Sequence, residues 1–381
     1  MGDIALFGSI IVPLGLAAST FSSALGSVMV GPRTLQAIAL DNSLPIRSAN
    51  GWISRMRSRD HEPVNASVIT CTIALVFVAL FANSLFQMNR NLQIYLQKKR
   101  GKASIKEEWR PSAICISRNT FQRNNALKLL DWISFKYGFG TYLHLIDGYF
   151  SRETSHRAEE ELQRLLNSLD TSSHVYIDTI ISPSTTSAFA QSIQIPGISG
   201  MENNMVIFEF SKSEPDDMHD IIDNFRMVAA GGFDVCILAS SSKPLICRNG
   251  IHIWVRSFDA ENSHLMILLG FIFLGHPDWK KGNIKLFNIC TEEEAAGVRK
   301  QMRELVETGR LPITPNNVEV IIRQEDVSVK EVINNHSRDA ALTMIGFNEN
   351  NFRNGNTDLF EGYGDLGNIL FVHSNGPKEI E

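Results

Sequence analysis

Two long uncharged stretches constrain this chain before anything else does. Ile4 to Val30 reads IALFGSIIVPLGLAASTFSSALGSVMV, and Val64–Phe86 reads VNASVITCTIALVFVALFANSLF, without an acid or a base in either. As a helix the first would extend about 40 Å against a hydrocarbon core of about 30 Å, and the second is also long enough to cross. A secretory signal peptide needs a basic start and a short apolar core. Met1-Gly2-Asp3 opens otherwise, and no basic residue precedes Arg33. The sequence therefore predicts membrane helices at 1–32 and 64–86.

The two stretches differ in kind. Gly8, Ser9, Gly15, Ala17, Ala18, Ser19, Thr20, Ser22, Ser23, Ala24, Gly26 and Ser27 crowd the first with small and hydroxyl side chains. In lipid such residues let helices approach closely or present oxygens to a cavity, so this reads as an interior helix of a bundle. The second is β-branched and aromatic, which suits lipid contact. Residues 33–63 carry Arg33, Arg47, Arg55, Arg57 and Arg59 against Asp41, Asp60 and Glu62, a basic loop expected on the cytoplasmic side. The linker 87–104 is basic as well, through Lys98, Lys99, Arg100 and Lys102. One crossing cannot leave both flanks inside. Both are accommodated if an odd number of helices once separated them, or if Val64–Phe86 does not cross. The C-terminal part is expected in the cytoplasm.

Residues 105–381 have another character. Candidate strands are Ala113–Ser117, Tyr142–Ile146, Val175–Ile180, Met205–Phe210, Val235–Ala239, His252–Arg256, Lys285–Ile289, Val318–Ile322, Leu342–Gly346 and Ile369–Val372. Candidate helices between them are Ala126–Phe135, Arg152–Asn167, Thr185–Gln194, Asp216–Ala229, Asn262–Gly275, Glu292–Glu307 and Val329–His336. This alternation predicts an α/β domain with a mostly parallel sheet and helices on both faces, and leaves room for two related halves. Leu265–Leu274 is apolar throughout, but as a helix it spans only about 15 Å and reads as a buried helix of that domain. Gly346–Leu366, rich in Gly, Asn and acids, reads as a mobile loop.

Several functions are disfavoured. A net charge of -5 gives no basic face for nucleic acid. Cys71, Cys115, Cys236, Cys247 and Cys290 stand too far apart for a structural zinc site, and their odd number fits a reduced compartment. No dinucleotide fingerprint, phosphate-binding loop, nucleophile elbow or metalloprotease motif occurs, so neither a cofactor nor an enzymatic activity is expected. Gly138-Phe139-Gly140 and Gly346-Phe347-Asn348 have the composition of anion cradles, although such glycines are more often plain turns. His276-Pro277-Asp278-Trp279 reads as a structural turn after a helix.

The stretch from Phe21 to Asn42, FSSALGSVMVGPRTLQAIALDN, resembles the eighth membrane helix and following loop of the cation–chloride cotransporters, members of the amino acid–polyamine–organocation superfamily. Glu62-Pro63 and the apolar run after it resemble the start of the ninth helix. Glu108-Trp109-Arg110-Pro111 resembles the opening of that family's cytosolic domain. Pro196-Gly197-Ile198-Ser199-Gly200-Met201, Gly275-His276-Pro277-Asp278-Trp279 and Ser337-Arg338-Asp339-Ala340-Ala341-Leu342 are similar to its later landmarks. The resemblance implies a transporter with three of the family's twelve spans absent between residues 86 and 105, an odd number as the basic flanks require. It also implies a domain at 105–381 with a fold like the universal stress proteins.

The resemblance further implies symport of chloride with sodium or potassium, with amino acid transport as the neighbouring activity in the superfamily. A membrane-tethered regulatory module without transport is the alternative of another class. Paired hydroxyls on the eighth helix help coordinate sodium in sodium-coupled members. The matching residues here are Ser22 and Ser23, with Ser19 nearby, though these serines also suit plain helix packing. The implied setting is the plasma (inner) membrane, with lipid as partner and a homo-oligomer formed through the C-terminal domain.

Overall fold

The structure is a computed structural model that describes residues 30–41, 47–55, 63–76, 88, 109–168, 173–197, 202–215, 218–255, 259–308, 315–323, 326–355 and 357–378. The chain divides into two compact units, Met1–Arg100 and Gly101–Glu381.

In the first unit, residues 30–40, Arg47–Ile53 and 64–76 are helical. The basic segment 33–63, read as a loop, is thus partly helical. Apolar contacts explain why: Leu35, Ala39 and Ile53 of this segment pack with Ala66 and Ile69 of the helix that follows, and Ala39, Ile53 and Ala66 are buried. Asn65 Nδ2 donates to the Trp52 carbonyl at 2.7 Å and ties two of the helical segments together. Among the described residues no helix is long and apolar enough to cross a membrane. The expected spans therefore do not appear as such: 64–76 of the second is helical, while 4–29 and 77–86 lie outside the described residues.

The second unit holds one ten-stranded sheet. Its strands are β1 (Ser112–Ser117), β2 (Phe139–Asp147), β3 (Tyr176–Ser182), β4 (Met205–Ser211), β5 (Asp234–Ser240), β6 (Ile251–Val255), β7 (Ile284–Cys290), β8 (Val318–Ile322), β9 (Leu342–Gly346) and β10 (Asn368–His373). The helices are α1 (Asn125–Ser134), α2 (Arg152–Ser168), α3 (Thr185–Ser192), α4 (Met218–Ala230), α5 (Ala260–Leu274), α6 (Ala295–Thr308) and α7 (Val329–Ser337). The sheet order is β3-β2-β1-β4-β5-β10-β9-β6-β7-β8. Every neighbouring pair is parallel except β5 and β10, which run antiparallel with Ile237 opposite Phe371.

Read from either edge inward, the order is the same: third, second, first, fourth and fifth strand of a half. Strands β1–β5 and β6–β10 are two copies of one doubly wound unit joined through their fifth strands. Helices α1, α2, α5 and α6 cover one face and α3, α4 and α7 the other, each over its own core. Strands β5 and β10 are buried along their whole length, as expected of strands covered on both faces. The Leu265–Leu274 part of helix α5 is apolar all round and mostly buried, in agreement with its reading as a buried helix of this domain.

The segment between β9 and β10 corrects one expectation. It has no helix longer than the 3-10 turn Glu349–Gly355, but it is no loose surface loop. It takes the place that α4 fills in the first half, and Phe352, Phe360, Tyr363 and Leu366 are buried in the same core. Phe352 meets Phe225 of α4 with ring centroids 4.7 Å apart. Lys212 Nζ donates to the Tyr363 and Leu366 carbonyls at 2.7 and 2.9 Å, and burial lowers its pKa.

One glycine is required by the backbone. Gly250, before β6, has φ +83°, and a Cβ there would lie 2.7 Å from the Asn283 carbonyl oxygen. Gly250→Ala should therefore destabilise the domain by about 2 kcal/mol or more, readable as a lowered urea midpoint at unchanged slope.

Candidate functional site

Ser19, Ser22 and Ser23, the residues matched to a cation site, lie outside the described residues. Four hydroxyls of the first unit, those of Thr34, Ser67, Thr70 and Thr72, are turned back on their own helices. Thr34 donates to Val30 O at 3.0 Å, Ser67 to Pro63 O at 2.9 Å, and Thr72 to Val68 O at 2.8 Å.

In the α/β domain the topology itself points to sites. In a doubly wound sheet, ligands bind outside the carboxyl ends of the strands where the winding reverses. That place falls between β1 and β4 in the first half and between β6 and β9 in the second. The two are built on matching positions. Ala113 pairs with Met205 and Ile251 with Leu342, which puts Phe208 in register with Ile345 and Glu209 with Gly346. Ser184 and Ser328 each accept from the backbone amide three residues on and cap α3 and α7, so Phe189 matches Ile333.

The first cleft is closed. Phe189 and Phe208 pack at 4.8 Å between ring centroids and leave a cavity of only about 40 Å³. Glu209 accepts from Ala126 N at 3.3 Å and from the Ser240 hydroxyl, so the chain's own carboxylate occupies the start of α1, where an anion would otherwise bind.

The second cleft is open. Ile333 and Ile345 stand where the first half has the two phenylalanines, and a cavity of about 400 Å³ runs from there over the ends of β6, β7 and β8. Trp254, Ile333 and Ile345 form its buried apolar floor, and Thr291, Glu294 and Arg323 stand exposed at its rim. Burial, with Glu294 second, raises the pKa of the Cys290 thiol in the wall, so it stays protonated at neutral pH. Behind the floor, Trp254 stacks on Phe287 at 4.7 Å and 18°. Its Nε1 donates to Ser337 Oγ at 3.0 Å, and that hydroxyl also lies 3.0 Å from His252 Nδ1. Ser337 thus bridges the indole and the imidazole, and which of Ser337 and His252 donates depends on the histidine tautomer. Gly346 lets Asn262 come close, since a Cβ at that glycine would lie 3.0 Å from the Asn262 Cβ. Asn262 Nδ2 donates to Asp259 Oδ2 and to Phe347 O, both at 2.8 Å, and its Oδ1 accepts from Ser374 N at 2.6 Å.

Burial, then Lys285, depresses the His252 pKa from 6.5 to about 4. A depressed histidine favours the neutral folded form. The stability it contributes is complete above about pH 6.5, falls as pH drops from there toward about 4, and is lost below. The steepest slope is about 1.4 kcal/mol per pH unit. His252→Asn, which keeps a neutral hydrogen-bonding partner for Ser337, should flatten this part of the stability profile in urea melts between pH 7 and 4.

The glycine pairs do not form anion cradles. A Cβ at Gly138 would fall 2.6 Å from Pro111 O, so this glycine serves close packing at the start of β2. Asn348 N, after Gly346, donates to Asn351 Oδ1 at 2.8 Å. His276-Pro277-Asp278-Trp279 is a turn after α5, as read, and it also joins the halves. Asp131 of α1 lies 3.3 Å from His276 Nε2 and accepts from His174 N at 2.8 Å, while Trp132 Nε1 donates to Asp278 Oδ2 at 3.1 Å. Among the described residues no group of His, Cys, Asp or Glu is placed to hold a metal ion.

Residues 2–95 match the family model for amino acid permeases. No curated protein matches the sequence. Among solved structures, the cytoplasmic domain of a prokaryotic cation chloride cotransporter aligns at TM-score 0.51 and 14% identity, covering 71% of this chain and 98% of that one. The α/β domain shares that fold. A functionally unknown protein from Pseudomonas aeruginosa PAO1 aligns at TM-score 0.43 and 15% identity, over 70% of this chain and 93% of its own. A protein assigned to the universal stress proteins of P. aeruginosa UCBPP-PA14 aligns at 0.42 and 15%, over 68% and 92%. The chain thus joins an N-terminal segment similar to amino acid permeases to an α/β domain of mostly parallel sheet.

Sequence reasoning did not find the second cleft. The signal was present: Phe189 against Ile333 and Phe208 against Ile345 at equal distances from matching caps and strand starts. It becomes legible only once the two halves are aligned, and no repeat is visible by eye in the sequence.

Proposed function

We propose that this chain belongs to a secondary transporter that carries chloride with sodium or potassium, and that residues 105–381 are its cytosolic regulatory domain. One conjunction carries the reading: a segment matching a permease family is followed, in the same chain, by a domain with the fold of a cotransporter's cytoplasmic domain. Transporters of this superfamily bind their ions near the bilayer midplane, where helix ends and side-chain oxygens replace lost water. In this reading Ser22 and Ser23, with Ser19 beside them, contribute hydroxyls to the cation site, in a plasma-membrane protein that assembles with its own copies through the α/β domain. A second reading, amino acid transport, is favoured by the permease match itself.

The test is flux. The full chain reconstituted in liposomes should take up labelled chloride when an inward sodium or potassium gradient is imposed, and Ser22→Ala with Ser23→Ala should weaken the cation dependence without preventing insertion. Uptake of amino acids in place of chloride would favour the second reading. Absence of any flux would leave a membrane-tethered module and overturn both.

A further inference from the structure

We propose that the open cleft of the second half binds one free α-amino acid with a branched or aromatic side chain. Its volume of about 400 Å³ lies at the lower end of the range of about 300–1,000 Å³ found for small-ligand sites, which suits a compact molecule. The floor offers no polar partner, because the Trp254 indole N–H is already bonded to Ser337. The part of the ligand that enters is therefore apolar.

The rim selects what remains outside. Arg323, at the end of β8, and Glu294, at the start of α6, both line the mouth. Both are held there: Arg323 N donates to Cys290 O at 2.9 Å, and the Glu294 carboxylate accepts from Thr291 N at 3.2 Å through Oε2. Arg323 is exposed at the mouth. A purely anionic ligand would meet Glu294, and a purely cationic one would meet Arg323. A carboxylate and an ammonium on the same carbon satisfy both, and the side chain then points to the floor. Phosphate groups are disfavoured, since the Asp259 and Glu294 carboxylates already stand before the starts of α5 and α6. The first half cannot bind the same ligand, because Phe189 and Phe208 fill its cleft.

Equilibrium dialysis of the full chain against labelled L-leucine and L-phenylalanine tests the assignment. One saturable site per chain is expected. Arg323→Gln, at an exposed position, should weaken binding at least tenfold. Ile333→Phe, which repeats the filling residue of the first cleft, should abolish it with the circular dichroism spectrum unchanged. Binding by residues 2–95 as a transport substrate would survive both substitutions, so this outcome separates the cleft from a transport site and overturns the assignment. Absence of saturable binding, or a Kd unchanged by Arg323→Gln, overturns it too, even if Ile333→Phe folds poorly. Equal affinity for 3-methylbutanoate, which lacks the ammonium, would refute the zwitterion.

Discussion

Trp279→Ala should lower the stability of the α/β domain by about 3–5 kcal/mol, whereas Trp279→Phe should cost only about 1–2 kcal/mol. The indole is 1% exposed and meets Trp132 edge to face, with centroids 5.0 Å apart. Trp132 sits on α1 of the first half and Trp279 follows α5 of the second, so truncation opens a cavity between the halves. Gly282 lies so close over the ring that a Cβ there would be 3.0 Å from Trp279 Cε3, and backbone at that point has little freedom to collapse into the space. The phenylalanine variant differs for a second reason. The Trp279 indole N–H is buried without a hydrogen-bond partner among the described residues, and removing it relieves a desolvation penalty. Urea unfolding followed by far-ultraviolet circular dichroism would measure both; equal losses for the two variants would show that filling the space is not what matters.

A comparable effect is expected at the start of β5. Lys378 Nζ lies 3.0 Å from Asp234 Oδ1, with side chains 10% and 3% exposed, and the ammonium also stands 5.7 Å from the Trp109 ring. Lys378→Met removes the cation and leaves a buried carboxylate whose remaining partner is the Asn375 amide, 2.9 Å away. A loss of about 3–5 kcal/mol is expected, because an uncompensated buried charge costs more than the intact pair contributes. Adding Asp234→Asn to Lys378→Met should restore much of it. If the double variant is no more stable than the single one, the loss comes from packing of the lysine stem and not from the stranded charge.

The strands and helices of residues 109–378 were legible because each carries a clear local pattern. Val235–Ala239 and Ile369–Val372 are apolar runs of strand length, and both are central strands. Arg152–Asn167 places a narrow apolar stripe on a charged surface, and only Ala158 and Leu165 of α2 are buried. The segment from Gly346 to Leu366 was harder. The spacing of Phe352, Phe360, Tyr363 and Leu366 would suit one face of a helix, but Gly355, Gly362 and Gly364 stand among them and disfavour a helix, so nothing local announces that they are buried. Their burial follows from the empty place left where the first half has α4, which is a property of the whole sheet. The Asp131–His276 contact and the second cleft were hidden for the same reason, since each joins residues that only the topology brings together.

The antiparallel pairing of β5 with β10 has a consequence for how this domain came to have two unlike clefts. A chain carrying one half alone would leave its fifth strand unpaired, and an exposed apolar edge recruits another strand. The partner that fits such an edge antiparallel is the same edge of an identical chain, related by a two-fold axis. The present domain has the form of that symmetric dimer written into one polypeptide. In a dimer of identical chains any substitution appears twice, so closing one cleft with phenylalanine closes both. Fusion removes that restriction: here one cleft is filled by Phe189 and Phe208 while its twin stays open beside Ile333 and Ile345.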